Sequence, residues 1–270
     1  MTARRLFFLA GVVTLCAWVL VPLYLIALAA TGGSAVVHAW PKPFLPTGAL
    51  AATLAPLARF LSIAGVWPAL LTSVETALVC VAISLTLGLP AGYALARFRF
   101  RGAVLFRVLV LMTRAFPVAI LALPLAVTFI HLGLYDTPVG VGLMHTALAL
   151  PFTILVSASL FQAIPAELEE ASWVFGCSRL GAFRRVVMPL ALPGIAAAAT
   201  FAFVISWNEV FAASVLTVRH RTLTAYLLAI LPESPLDVQF TGAFLLVVPS
   251  VIFIFLVRRR LFSIWGIANR

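Results

Sequence analysis

The residues best equipped for chemistry in this chain are gathered in one place. Three of its eight acids, Glu167, Glu169 and Glu170, fall within four positions, and Arg179, Arg184 and Arg185 follow within the next fifteen. Trp173, Phe175 and Gly176 stand between the two groups. In a chain that is 64% hydrophobic, a segment this charged must be held in water. Carboxylates and guanidiniums set beside aromatic rings suit recognition of another surface. Bond-making chemistry is not indicated. The phosphate-loop pattern G-x-x-x-x-G-K-[ST] is missing, and Lys42 is the one lysine. His38, His131, His145 and His220 are isolated from one another, make no H-E-x-x-H or metal spacing, and read as interfacial or helix-end residues. Cys16, Cys80 and Cys177 lack C-x-x-C spacing and read as small core residues. Neither a catalytic site nor a bound cofactor or metal is expected on this chain, and any energy it uses must come from a partner.

The rest of the chain exists to place that segment. A mean hydropathy of +1.16 with 10% charged residues lies far outside soluble usage, where about 25% are charged. Crossing about 30 Å of hydrocarbon takes roughly 20 apolar residues. Six runs approach this: 6–30, 69–96, 104–130, 141–163, 190–216 and 243–257, the last extending toward Phe240. Each must be helical, since a lone span has to satisfy its own backbone hydrogen bonds in lipid. The expected fold is an all-α, multi-pass membrane protein of six helices, read as one domain over 1–270. The run after Arg4-Arg5 is about twice the 7–15 residues of a signal-peptide core, so an uncleaved first helix is expected.

A formal charge of +10 might suggest nucleic acid, but its distribution excludes it. Thirteen arginines precede the first run, fill the second and fourth connections, or follow the last run, whereas Lys42, Arg59, Arg219 and Arg221 hold the alternate loops. The basic excess marks cytoplasmic loops, which places both termini and the 164–189 loop inside. Of the other connections, the proline-rich 31–68 is expected along the membrane surface and 217–241 as a loop.

Within 164–189, Pro165 suits a first helical turn, and the three glutamates favour the positive end of that helix. Gly176 is placed to end it. Ser178 then caps a second short helix, Arg179 to Met188, which Pro189 stops before the next span. The result is a helix-turn-helix suited to docking. The alternative is a solvated amphipathic loop that stabilises its own protein.

Glu170-Ala171-Ser172, then Gly176 after three residues, then Val186-Val187-Met188-Pro189 after nine more, resembles the signature of ABC importer permeases. That pattern reads Glu-Ala-Ala, three residues, Gly, nine residues, Ile, any residue, Leu-Pro. The resemblance implies the type I importer permease fold, with 164–189 as a coupling helix docked on a cytoplasmic ATPase subunit. Glu169, Glu170, Ala171, Ser172, Gly176, Arg179 and Pro189 are the residues this assigns to coupling. Leu132-Gly133-Leu134-Tyr135-Asp136-Thr137, Trp207-Asn208-Glu209 and Tyr93-Ala94-Leu95-Ala96-Arg97 resemble motifs of carbohydrate permeases of the maltose-transporter type. Thr72-Ser73 departs from the Asn-Ser common there, and the tail Ile264-Trp265-Gly266-Ile267-Ala268-Asn269-Arg270 departs from the usual ending.

Ionisable groups at membrane depth point to a pathway or a partner helix. Glu75, Arg114 and Glu209 qualify, and Trp207 and Asn208 beside Glu209 offer an indole and an amide to a polyol. Interhelical hydrogen bonding is the alternative for Asn208 and Glu209. Arg114 is expected to pair with Glu75 or Glu209, or to bind an anionic substrate. The resulting expectation is one permease of a sugar importer in a bacterial inner membrane. Its partners would be a second homologous permease, two ATPase subunits carrying ATP and Mg, an extracytoplasmic solute-binding protein and membrane lipid. The same machine with a polyamine, phosphorylated polyol or other anion as cargo is the runner-up. A proton-coupled secondary transporter is disfavoured by the lack of a chain of intramembrane acids.

Overall fold

The computed structural model describes residues 3–45 and 50–262, and side chains over 5–45 and 54–256. The divergent tail from Ile264 and the side chains of Arg258, Arg259 and Arg260 lie outside the described residues. Among the described residues every regular element is helical: α1 Ala3–His38, α2 Leu50–Leu61, α3 Val66–Arg97, α4 Ala103–Met112, α5 Val118–His131, α6 Pro138–Ala163, α7 Glu167–Val174, α8 Arg179–Ala182, α9 Met188–Asn208, α10 Phe211–Leu216, α11 Leu223–Ile230 and α12 Leu236–Phe262. Among the described residues five helices are long and apolar enough to cross a membrane, and six if a bent pair counts as one span. α1, α3, α6, α9 and α12 each contain an internal proline, as spanning helices tolerate.

Four sequence-based boundaries change. The run 104–130 is not one helix: it bends by 88° between Ala115 and Val118, where Phe116 is extended and Pro117 has no N–H to continue the ladder. The run 190–216 breaks at Glu209, which is extended, and resumes as α10. The last span begins earlier, at Leu236, and the expected loops 31–68 and 217–241 contain α2 and α11. Apolar content alone could not locate these ends, because buried short helices are as hydrophobic as spans.

The chain forms two compact units, one of residues 1–67 with 227–248 and one of residues 68–226 with 249–270. In the first, α2 packs on α1 with Pro56 beside Gly33, and Thr241 Oγ1 donates to Ala30 O at 3.2 Å. The second is built on α3, α6 and α9. Here small residues bring backbones together, as expected where lipid removes the hydrophobic drive between helices. A Cβ on Gly92 would lie 2.0 Å from Ser157 Oγ and 2.8 Å from Ala158 N, so α3 approaches α6 only because this position is glycine. Ser157 Oγ also donates to Gly88 O at 3.1 Å. Toward the α7 end, Leu89, Phe161, Ile164, Val187, Ala191 and Ile195 make an apolar core with Tyr93 and Phe183 on its edge.

Candidate functional site

The segment after α6 is the helix-turn-helix that its residues suggest. α7 carries Glu167, Glu169 and Glu170 in its first turn. Its end is a Schellman motif: Cys177 N donates to Ser172 O at 3.0 Å and Gly176 N to Trp173 O at 2.9 Å, with Gly176 at φ 86°. Glycine takes that left-handed backbone without a Cβ penalty. Ser178 then caps α8, its hydroxyl accepting from Gly181 N at 3.1 Å. Val174 and Phe175 are 85% and 88% exposed at the bend, so two apolar side chains project where the chain is most charged. The Arg179 guanidinium lies 5.7 Å over the Trp173 ring. Glu167, Glu170 and Ala171 are exposed, and Ser172 is turned inward with its hydroxyl on Glu169 O at 2.7 Å.

Two expectations here are corrected. Pro189 does not end the second helix. A π-helical turn over Phe183–Val187 leads directly from α8 into α9, with Pro189 at its first turn, giving a single element Arg179–Asn208 of 30 residues. The wider π turn accommodates a proline ring that would otherwise meet the carbonyl one turn back. Glu169 is also not on the presented face. It is 3% exposed, its Oε2 accepts from Tyr93 Oη at 2.5 Å, and its Oε1 accepts from Arg97 Nε at 2.5 Å. A cleft of about 660 Å³ opens beside this pair, lined by Tyr93, Arg97, Glu170, Trp173, Arg179 and Phe183 among others.

The second polar cluster sits at the break after Asn208. Glu209 accepts from Ala212 N through Oε1 at 3.0 Å and from Ala213 N through Oε2 at 3.1 Å, capping α10. Its Oε2 lies 3.2 Å from His145 Nε2, and His145 Nδ1 lies 2.8 Å from Ser206 Oγ. Its carbonyl accepts from Thr224 Oγ1 at 2.9 Å. His145 is fully buried on α6, not interfacial; a histidine inside the apolar run 141–163 was the available signal. Asn208 is exposed and bonds back to Val204 O at 2.9 Å. Trp207 does not share its face: the indole is 1% exposed and stacks on Phe203, which stacks on Phe253. Arg114 and Glu75 are exposed, and among the described residues no ion pair joins Arg114 to Glu75 or Glu209. Arg114 stands in the 3-10 turn at the bend of the third run, and the Glu209 carboxylate is already committed to His145, Ala212 and Ala213. Thr113 and Thr128 hydroxyls return to their own helices.

A third constellation had a motif but no assigned role. Asp136, at φ 58°, accepts from the N–H groups of Val218, Arg219 and His220 at 2.8 to 3.0 Å, and its own N–H donates to Leu216 O at 3.0 Å. Partial burial opposes its ionisation, but those three N–H donors outweigh it and hold the carboxyl below the usual range. The α5–α6 loop is thereby tied to the segment after α10.

With this geometry in view, comparison with known proteins is decisive. Residues 84–263, two thirds of the chain, match the family described as binding-protein-dependent transport system inner membrane component. This chain belongs to that family. The permease is 34% identical over 200 residues to the trehalose transport system permease protein SugB of Mycobacterium tuberculosis, covering 72% of this chain and 73% of that one. It is 34% identical over 143 residues to the diacetylchitobiose uptake system permease protein DasC of Streptomyces coelicolor, covering 53% and 52%. Its fold matches a bacterial ABC transporter involved in import of the acidic polysaccharide alginate, with TM-score 0.69 and 23% identity over 96% of this chain and 98% of that one. The all-α importer permease fold is therefore established.

Proposed function

We propose that the permease forms one half of a sugar translocation pathway and receives ATP-driven motion through 164–189. The observation that carries this is the Schellman bend at Gly176, which sets the exposed Glu170, Val174 and Phe175 on a projection that leads through α8 into α9. Glu167 and Glu170 offer charge to a basic groove, and the two apolar side chains offer area that water leaves exposed. A second permease, two ATPase subunits holding ATP and Mg, and a solute-binding protein complete the assembly. Both termini and the α7 projection face the ATPases, in keeping with thirteen basic residues on that side against four.

Sugar cargo is supported by relatives named for trehalose and diacetylchitobiose uptake. Within the pathway, Asn208 is the polar side chain left exposed at the break in α9, while Glu209 is absorbed in the protein's own hydrogen bonds. Co-purification with the products of adjacent genes, followed by ATPase stimulation by the binding protein across a panel of disaccharides, polyols, polyamines and organic anions, tests both parts. Stimulation by disaccharides is the expected result. Stimulation by anions or polyamines alone would replace the sugar assignment.

A further inference from the structure

We infer that Glu169, Arg97 and Tyr93 form an internal latch that binds the α7 projection to the end of α3, so that motion received by α7 enters the membrane region along α3 as well as along α9. The inference rests on 164–189 being the docking element. Without the latch, α7 is joined to the spans by Ile164-Pro165-Ala166 on one side and by α8 and the π turn it packs against on the other. With it, the connection is made by side chains 72 and 76 residues away in sequence.

The geometry is that of a joint. Each oxygen of Glu169 is held by a different donor on α3, Tyr93 Oη and Arg97 Nε, both at 2.5 Å. The same guanidinium uses Nη2 to donate to Ile164 O at 2.9 Å, the carbonyl that closes α6. One arginine thus ties three helix ends. Tyr93 continues the joint into apolar packing, its ring edge-on to Phe161 at 5.5 Å and to Phe183 at 4.7 Å. Phe183 opens the π turn that leads into α9. The side chains of Arg97 and Glu169 are only 14% and 4% exposed, so neither charge is screened as a surface pair would be. Removing one partner would strand the other charge, which is why such a pair keeps its parts together under load. A carboxylate so buried, with both oxygens engaged, is a positioning residue. The contact face is left to Glu167 and Glu170, two neighbours that point outward.

The test uses the complete transporter, with both permeases and the ATPases, in proteoliposomes with its binding protein. Solute imported per ATP hydrolysed is measured for Glu169→Gln, Arg97→Gln, the double variant, and Tyr93→Phe, the mildest change. Each single charge variant is expected to lower the ratio about tenfold, the usual scale of a coupling free energy. Tyr93→Phe should lower it less. The double variant should be no worse than either single one, because both remove the same joint. ATPase subunits should still co-purify with every variant. An unchanged ratio in the single variants, or additive losses in the double, would overturn the latch. Loss of ATPase subunits from Glu169→Gln would also overturn it, by making Glu169 a docking residue. If the wild-type chain itself retains no ATPase, the docking assignment fails first and the latch with it.

Discussion

His145 Nε2 and Glu209 Oε2 lie 3.2 Å apart, although 64 residues separate them in the chain. The contact fixes the place where α9 stops. Glu209 caps α10 with its carboxylate, meets α6 through His145 and receives Thr224 on its carbonyl, so three segments converge on one residue. A helix break in a membrane protein is stable only where its freed backbone groups find partners, and here one side chain supplies them for two, the N–H groups of Ala212 and Ala213.

Glu209→Ala should therefore damage structure before transport chemistry. The lost cap alone is expected to cost about 1 kcal/mol, with more from His145 Nε2, which loses its partner while Nδ1 keeps Ser206. Thermal inactivation of the detergent-solubilised complex is the measurement. A variant as heat-stable as wild type would show that the break is held elsewhere.

Asn208→Ala, one residue earlier, should behave in the opposite way. Its amide bonds only to Val204 O in its own helix and is otherwise exposed. Uptake is expected to fall with assembly and ATPase co-purification intact. Poor assembly would instead assign Asn208 to helix packing.

Gly176→Val should leave the chain inserted and abolish transport. The backbone there sits at φ 86°, which a β-branched residue resists, yet no atom lies within 4 Å of an added Cβ. The damage is thus confined to the direction in which α7 projects. Full uptake by this variant would remove the bend from the coupling path.

Gly92→Val should fail earlier, at folding. Its Cβ would collide with Ser157 Oγ and the Ala158 backbone. Overpacking of this kind costs about 1–3 kcal/mol or more. Yield of assembled complex should drop sharply, and a normal yield would mean that α3 and α6 can separate without loss.

Asp136 gives a pH prediction. Its folded-state carboxyl titrates below the usual range because the N–H groups of Val218, Arg219 and His220 prevail over the effect of burial. The stabilisation is complete above the unfolded value of about 3.9 and is lost as pH falls through the lower folded value. Asp136→Asn should lower the melting temperature at neutral pH, and the gap to wild type should close in strong acid. A gap independent of pH would show that charge plays no part.

Much of this was legible in the chain. Helical class, the spans over α3 and α6, and the turn at Gly176 follow from hydropathy and from the glycine and capping serine that flank it. What was not legible depends on partners distant in sequence. Nothing local to Glu169 distinguishes it from Glu170, and only the approach of Arg97 and Tyr93 turns one inward and leaves the other wet. His145 reads as a helix-end residue because no other histidine lies near it in sequence, whereas in space it meets Ser206 and Glu209. Pro189 was read as a stop because an α-helix has no room for its ring, and the π turn before it has.

That π turn also has a mechanical meaning. Arg179–Asn208 is a beam of 30 residues, about 45 Å long. Its far end is pinned where Glu209 meets His145 and Thr224, and its near end is wedged where Phe183 packs on Tyr93. A push on the near end cannot slide a beam pinned at both ends. On the proposed coupling it must flex it, and the overwide turn at Phe183–Val187, already departing from regular α-helical hydrogen bonding, is where bending costs least.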